Sequence, residues 1–292
     1  MRPCWTAMLL AGVAGCVPRG PEPVVRVHYV VGGAYELGGI WSYPREEFRL
    51  DETGLAAVLP ERRGLTSDGE AYDSGAMVGA HRTLQLPAIV RVTNMGTGAS
   101  ALVRVSDRGP VQRGRVIGLS RRAAAVLGVV DGAAVRVQVE DGMSRALQSQ
   151  VGGGPAVTVS AAPRGLVTAE TLAPPPGMGG SRRVRSAEVV PAADVAEAAA
   201  PVVPDRLPEV AEAGVPQPGG IVIRAGSFGR AEYAAGVRAR LAGIAARTVR
   251  VREGSGERYE VLAGPFASVA AADSALDQAV RAGVGDARIV IE

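Results

Sequence analysis

Residues 64–84 read GLTSDGEAYDSGAMVGAHRTL, which places Glu70, Asp73 and His81 close together, and a further ionisable side chain, Asp107, stands in VRVSDRGP at 103–110. Carboxylates and histidine are the side chains that pass protons, and clustered carboxylates raise one another's pKa, which keeps a proton available near neutral pH. The stretch between the two ends must position them. Residues 87–105, PAIVRVTNMGTGASALVRV, alternate apolar with polar or small residues around an Asn94-Met95-Gly96-Thr97-Gly98 turn, which predicts a β-hairpin. Such a hairpin returns Asp107 to the side of the loop holding Glu70, Asp73 and His81. Taken singly, Asp68-Gly69 and Asp107-Arg108-Gly109-Pro110 are also plain turn sequences.

The motifs GEAYD from Gly69, AHRTL from Ala80, VRVTN from Val90, SDRGP from Ser106 and GRVIGLSRRAA from Gly114 occur in this order. On them, residues 64–139 resemble the double-psi β-barrel of the rare lipoprotein A family, septal-ring lytic transglycosylases of bacterial peptidoglycan. Several motifs in order are more specific than any one short pattern. The resemblance implies a site centred on Glu70, Asp73, His81 and Asp107, with no metal and no cofactor. Cleaving a glycosidic bond needs a proton on the leaving oxygen and stabilisation of an oxocarbenium-like centre. In a lytic transglycosylase the sugar's own 6-hydroxyl attacks and leaves a 1,6-anhydro end, so one placed acid suffices. Asp107 is assigned that acid, Glu70 and Asp73 support it, His81 orients an acid, and Arg108 pins a carboxylate or meets an acidic group of the glycan.

Two departures from the family pattern argue for a second reading, a non-catalytic peptidoglycan-binding lipoprotein. Where the family usually shows a Ser-Trp-Tyr-Gly loop, this chain has Ala57-Val58-Leu59-Pro60, so aromatic area for stacking on sugars is missing there. Where the family commonly has an acid before Leu-Ser, Gly118 stands.

The remainder of the chain frames this barrel. Residues 1–15 have Arg2 and a short apolar run over 7–14, below the ~20 residues a membrane span requires, and read as a secretory signal. Val13-Ala14-Gly15-Cys16 resembles a bacterial lipobox, which implies lipidation of Cys16 and a membrane anchor. With Val17 rather than an aspartate next, that resemblance implies an outer-membrane lipoprotein facing the periplasm; the resemblance to septal-ring transglycosylases implies enrichment at the division septum, where division-site proteins are candidate partners. Cys4 leaves with the signal, so the mature chain forms no internal disulfide. The net charge of +3 is mild and the charges are interspersed, so nucleic acid is not a required partner.

At 292 residues the prior is about two domains. The sequence divides into a signal over 1–15, an aromatic and Gly-rich lead-in over 16–50, the barrel over 51–140, a linker over 141–217 and a last domain over 218–292. Within the barrel, residues 51–56 fit the entry strand of the resembled family, while 121–127 read as a short helix capped by Ser120 and 135–140 as the closing strand. Periodicity then vanishes in a Pro-, Ala- and Gly-rich stretch that reads as a disordered linker.

In the last domain Ala225-Gly226-Ser227-Phe228 recurs as Ala263-Gly264-Pro265-Phe266, each ending an alternating strand. Strands at 221–228, 247–252, 258–266 and 288–292 with helices at 230–241 and 269–282 make an α+β ferredoxin-like βαββαβ unit. It resembles a SPOR domain, a family that binds septal peptidoglycan stripped of stem peptides. If helices cover the Ile223 and Tyr259 face, the opposite face carries Val222, Arg224, Glu260 and Leu262, which the resemblance makes glycan-binding. RNA-recognition modules share this topology, but the strand aromatic Tyr259 falls on the core face and the chain carries an export signal. The fold class is therefore multidomain: an all-β double-psi barrel, a disordered linker and the ferredoxin-like SPOR domain.

Overall fold

A computed structural model describes residues 25–152, 203–253 and 256–292. The expected signal, Cys16 and the middle of the linker lie outside the described residues. The lead-in forms a short hairpin, β1 (Tyr35–Leu37) and β2 (Ile40–Ser42), turning through Gly38 and Gly39, whose φ angles of 63° and 73° favour glycine. It is tied along residues 83–86. Arg45 N–H donates to the Thr83 carbonyl at 2.9 Å, Val30 and Leu86 exchange backbone bonds at 2.8 and 2.9 Å, and Glu47 N–H donates to the Gln85 side chain at 2.8 Å.

The barrel comprises β3 (Asp51–Val58), β4 (Val78–Ala80), β5 (Ala88–Asn94), β6 (Ser100–Asp107), β7 (Arg115–Leu119) and β8 (Ala134–Val139). They close in the order β3-β7-β4-β6-β5-β8, with β3–β7 and β4–β6 parallel and the other pairs antiparallel. Alternation does the closing. Val90 and Val92, Val103 and Val105, Ile117 and Leu119, and Val135 and Val137 are all buried in one core, so each strand has a single register that hides its apolar set. Between β7 and β8 lies α1 (Arg121–Leu127). Ser120 Oγ accepts from Ala123 N–H at 3.0 Å at its start, and Gly128 ends it at φ 61°.

The chain does not leave the barrel where periodicity ends. Residues Asp141–Gln150 form α2, whose Ser144 hydroxyl accepts from Ile89 N–H at 3.0 Å and donates to the Ile89 carbonyl at 3.1 Å. Only Met143, Ala146 and Leu147 supply an apolar stripe, too thin a signal for a sequence reading. Residues 203–217 lie back along the barrel. Val203 and Leu207 enter its core, Glu212 exchanges backbone bonds with Ser100 at 2.7 and 2.9 Å, and Gln217 N–H donates to the Met95 carbonyl at 2.8 Å.

The last domain follows the predicted order: β9 (Ile221–Phe228), α3 (Ala231–Arg240), β10 (Ala246–Glu253), β11 (Gly256–Phe266), α4 (Val269–Arg281) and β12 (Arg288–Ile291), in a sheet β10-β11-β9-β12. Ile223, Ala225, Val261 and Ala263 join Ala234, Ala272 and Leu276 of the helices in a core. Barrel residues Leu55 and Met95 belong to this same core, so the two domains share a seam. There Thr53 Oγ1 donates to the Ile291 carbonyl at 2.8 Å and accepts from its N–H at 3.1 Å, and Arg115 grips Asp273 through two bonds of 2.8 and 3.0 Å.

Candidate functional site

The hairpin delivers Asp107 as its spacing predicts, against the loop of residues 64–73. Oδ1 accepts from Ser67 N–H at 3.0 Å, Ser67 Oγ at 2.6 Å and Arg108 N–H at 2.8 Å, while the Arg62 guanidinium sits on Oδ2. Arg62 also lies over the Tyr72 ring, 4.4 Å from its centroid. Burial raises the Tyr72 phenol; Arg62 works against it, and the charges of Asp107 and Asp73 add to it. Tyr72 is thus within the fields of both carboxylates. Asp73 caps its own turn through a 2.8 Å bond from Gly75 N–H and pairs with Arg206 of the returning segment. Asp107, Asp73, Tyr72 and Arg62 form one partly exposed group.

Glu70 and His81 point elsewhere. Glu70 pairs with Arg104 beside Asp68. Asp68, legible in the sequence only as a turn former, is wholly buried because the lead-in covers it, His28 N–H bonding to its carbonyl at 2.9 Å. Burial, reinforced by the Glu70 charge and opposed by the Thr66 hydroxyl, pushes the Asp68 carboxyl up to about 6.

His81 is joined to Asp107 through the backbone, its N–H donating to the Asp107 carbonyl at 3.0 Å. Its ring turns the other way. Thr83 and Leu84 N–H groups lie 3.3 and 3.2 Å from Nδ1, which therefore accepts, and Nε2 is left to donate to Glu52 Oε1 at 2.9 Å. Glu52 was missed in the sequence because β3 supplies it 29 positions before His81. Burial pushes Glu52 up, but the His81 bond and the charges of Arg288 and Arg45 outweigh it and hold the carboxyl below its usual range.

Of the remaining assigned residues, Arg224 and Glu260 lie on the predicted face of the sheet, while Arg108, Val222 and Leu262 do not present what the sequence reading gave them. Only the backbone N–H of Arg108 meets Asp107; its guanidinium has no carboxylate within ion-pair distance among the described residues and instead donates to the Leu84 and Val31 carbonyls, fastening the lead-in to the barrel. Val222 and Leu262 do share the face opposite the helices, but at 2% and 3% exposure they have no surface to offer a glycan. What that face presents is charge, an Arg224–Glu260 pair at 3.4 Å flanked by Glu292. Among the described residues no cluster of His, Cys, Asp or Glu is arranged to hold a metal ion.

The two sequence departures prove to be a single packing event. A Cβ at Gly118 would stand 2.5 Å from Leu59 Cδ2, so Leu59 fills the space that a side chain at 118 would need. Gly118 pairs with Ala80 across β7 and β4, one strand away from Asp107.

Residues 52–139 match the family model described as lytic transglycolase, and residues 217–289 match the SPOR domain. Endolytic peptidoglycan transglycosylase RlpA of Pseudomonas aeruginosa (strain UCBPP-PA14) is 32% identical over 240 residues, 80% of this chain and 68% of the relative. The protein of that name in Vibrio cholerae is 50% identical over 76 residues, 26% of this chain and 29% of the relative. The crystal structure of the RlpA SPOR domain from Pseudomonas aeruginosa aligns with 25% of this chain and 100% of its own, at 21% identity and a TM-score of 0.24. With a double-psi barrel joined to a SPOR domain, and with this extent of identity, the chain belongs to the RlpA family.

Proposed function

We propose that the protein is a peptidoglycan lytic transglycosylase that cleaves stem-peptide-free glycan strands to 1,6-anhydro ends, carried to the division septum by its SPOR domain. The observation that carries this reading is the partly exposed carboxylate Asp107, held by Ser67 and near enough, like Asp73, to act on Tyr72, inside a barrel of the transglycosylase family. Asp107 is the acid. Arg62 occupies its Oδ2, so delivery of a proton requires Arg62 to move aside, which its one-third-exposed side chain permits. Asp73 supports the charge that develops on the sugar. Glu70, paired with Arg104, and His81, paired with Glu52, fix the two sides of the loop and act as positioning residues. Lipidation at Cys16 would tether the chain to the outer membrane with its body in the periplasm, beside division-site proteins.

A second reading, a glycan binder without chemistry, is favoured by Leu59 lying against Gly118, apolar packing one strand from Asp107. Incubation of the purified protein with sacculi, untreated or stripped of stem peptides by an amidase, followed by mass spectrometry, separates the two. Anhydro-sugar products from the wild type that are lost with Asp107→Asn establish the enzyme and its acid. Absence of product from both substrates, with the protein still sedimenting with stripped glycan, establishes the binder.

A further inference from the structure

The seam between the two domains encloses a cavity of about 310 Å³ that the Asp107 group does not use. Its walls come from three parts of the chain: Trp41 and Tyr43 of the lead-in, Glu52 and His81 of the barrel, and Arg288 of β12, with Arg45 at the rim of the lead-in. Trp41 and Tyr43 are 59% and 66% exposed, so two large rings are left in water beside a concave surface. Sugar-binding surfaces use this kind of flat apolar area, and small-molecule sites combine it with a few oriented polar groups.

The lining carries charge of both signs, Glu52 and Asp286 against Arg45, Arg82, Arg115 and Arg288, and these groups differ in how far each is already engaged. Glu52 is already engaged by His81, and Arg115, which also lines the cavity, is neutralised by Asp273. Arg82 spends its guanidinium on the Leu37 and Val111 carbonyls. Arg288 has no ion pair within 4.0 Å among the described residues, and Arg45 has only an exposed contact with Glu47 at 3.5 Å. Both guanidiniums lie near enough to Glu52 to act on its carboxylate. Arg288, and Arg45 where its exposed contact with Glu47 is given up, are the basic groups left to meet a ligand, next to two exposed rings and with Asp286 on the same wall. An arginine fork matches a carboxylate in geometry as well as charge.

We propose that the seam cavity binds a carboxylate-bearing pyranose, its ring stacked on Trp41 and Tyr43 and its carboxylate on Arg288 and Arg45. The proposal rests on the glycan reading above for the identity of the sugar, which is then the muramic acid unit of a peptidoglycan strand. The lactyl group of that sugar carries a free carboxylate only after the amide to its stem peptide has been hydrolysed. The seam therefore selects the product of an amidase reaction, and both domains must be present to build the site.

The chain contains two tryptophans, Trp5 and Trp41, so a Trp5→Phe variant of the full chain makes Trp41 emission a direct reporter. It is titrated with the N-acetylglucosaminyl-N-acetylmuramic acid disaccharide, with the same disaccharide as its lactyl amide, and with neutral chitobiose. The expected result is saturable quenching by the acid, about tenfold weaker with the amide and with chitobiose, and loss of that preference in Arg288→Gln. No change in emission, or equal response to acid and amide in the presence of Arg288, overturns the proposal. Asp107→Asn keeps the titration while losing anhydro product. A positive titration from a protein that releases no product leaves this site standing and removes the catalytic reading; product release without a titration does the reverse.

Discussion

The two sides of β4 handle charge in opposite ways. On one side Asp107 is an accessible carboxylate whose donors come from a loop and a partly exposed arginine. On the other, His81 is 3% exposed and its ring is committed on both nitrogens, to the turn at 83–84 and to Glu52. A single backbone bond links the two residues, yet only one of them is free to respond to a ligand. The contrast is between a carboxylate that solvent and a ligand can reach and a ring whose two nitrogens are both spent inside the fold.

The largest expected effect is on stability at the buried side. His81→Ala leaves two backbone N–H groups and the Glu52 carboxylate without their partner and should cost about 2–4 kcal/mol in urea unfolding. Asp107→Asn should cost about 1 kcal/mol or less while lowering anhydro-product formation by about 10²–10⁴-fold. Equal stability losses from the two would erase the contrast.

Asp68→Asn should stabilise the fold by about 1–3 kcal/mol at pH 7.5, since the native state carries a buried carboxylate whose pKa near 6 lies above its unfolded value. The sign follows from proton binding. Between about pH 4 and 6 the native state holds a proton that the unfolded chain has lost, so this group's contribution is complete below pH 4 and is lost as pH rises through 6. The gain from Asp68→Asn should therefore vanish at pH 4, as thermal unfolding at the two pH values would show.

Gly118→Ala should cost about 1–2 kcal/mol by pressing on Leu59, and adding Leu59→Ala should recover part of it, a non-additivity that a double-mutant cycle would read. Arg206→Ala, which removes an exposed pair with Asp73, should change stability by no more than about 0.5 kcal/mol.

The sequence by itself determined the elements and their order. Alternation over 87–105 gave the β5–β6 hairpin, Ser120 marked the start of α1, and the repeated Ala-Gly-x-Phe segments located β9 and β11 together with the helices that follow them. These signals are local, because strand period, helix caps and turn chemistry are written within a few residues. The nearness of Asp107 to the 64–73 loop was legible for the same reason, a hairpin of known length returning the chain.

The directions of the side chains were not legible. Only the closed barrel decides that His81 faces Glu52 of β3, that the guanidinium of Arg62 rather than that of Arg108 meets Asp107, and that the lead-in covers Asp68 and shifts its proton. Val222 and Leu262 follow the predicted alternation yet are shut off from water, since alternation gives a face and not what lies over it. The seam cavity gathers residues 41, 52 and 288, whose distant positions give no periodic signal. Their chemistry exists only because two domains pack against each other.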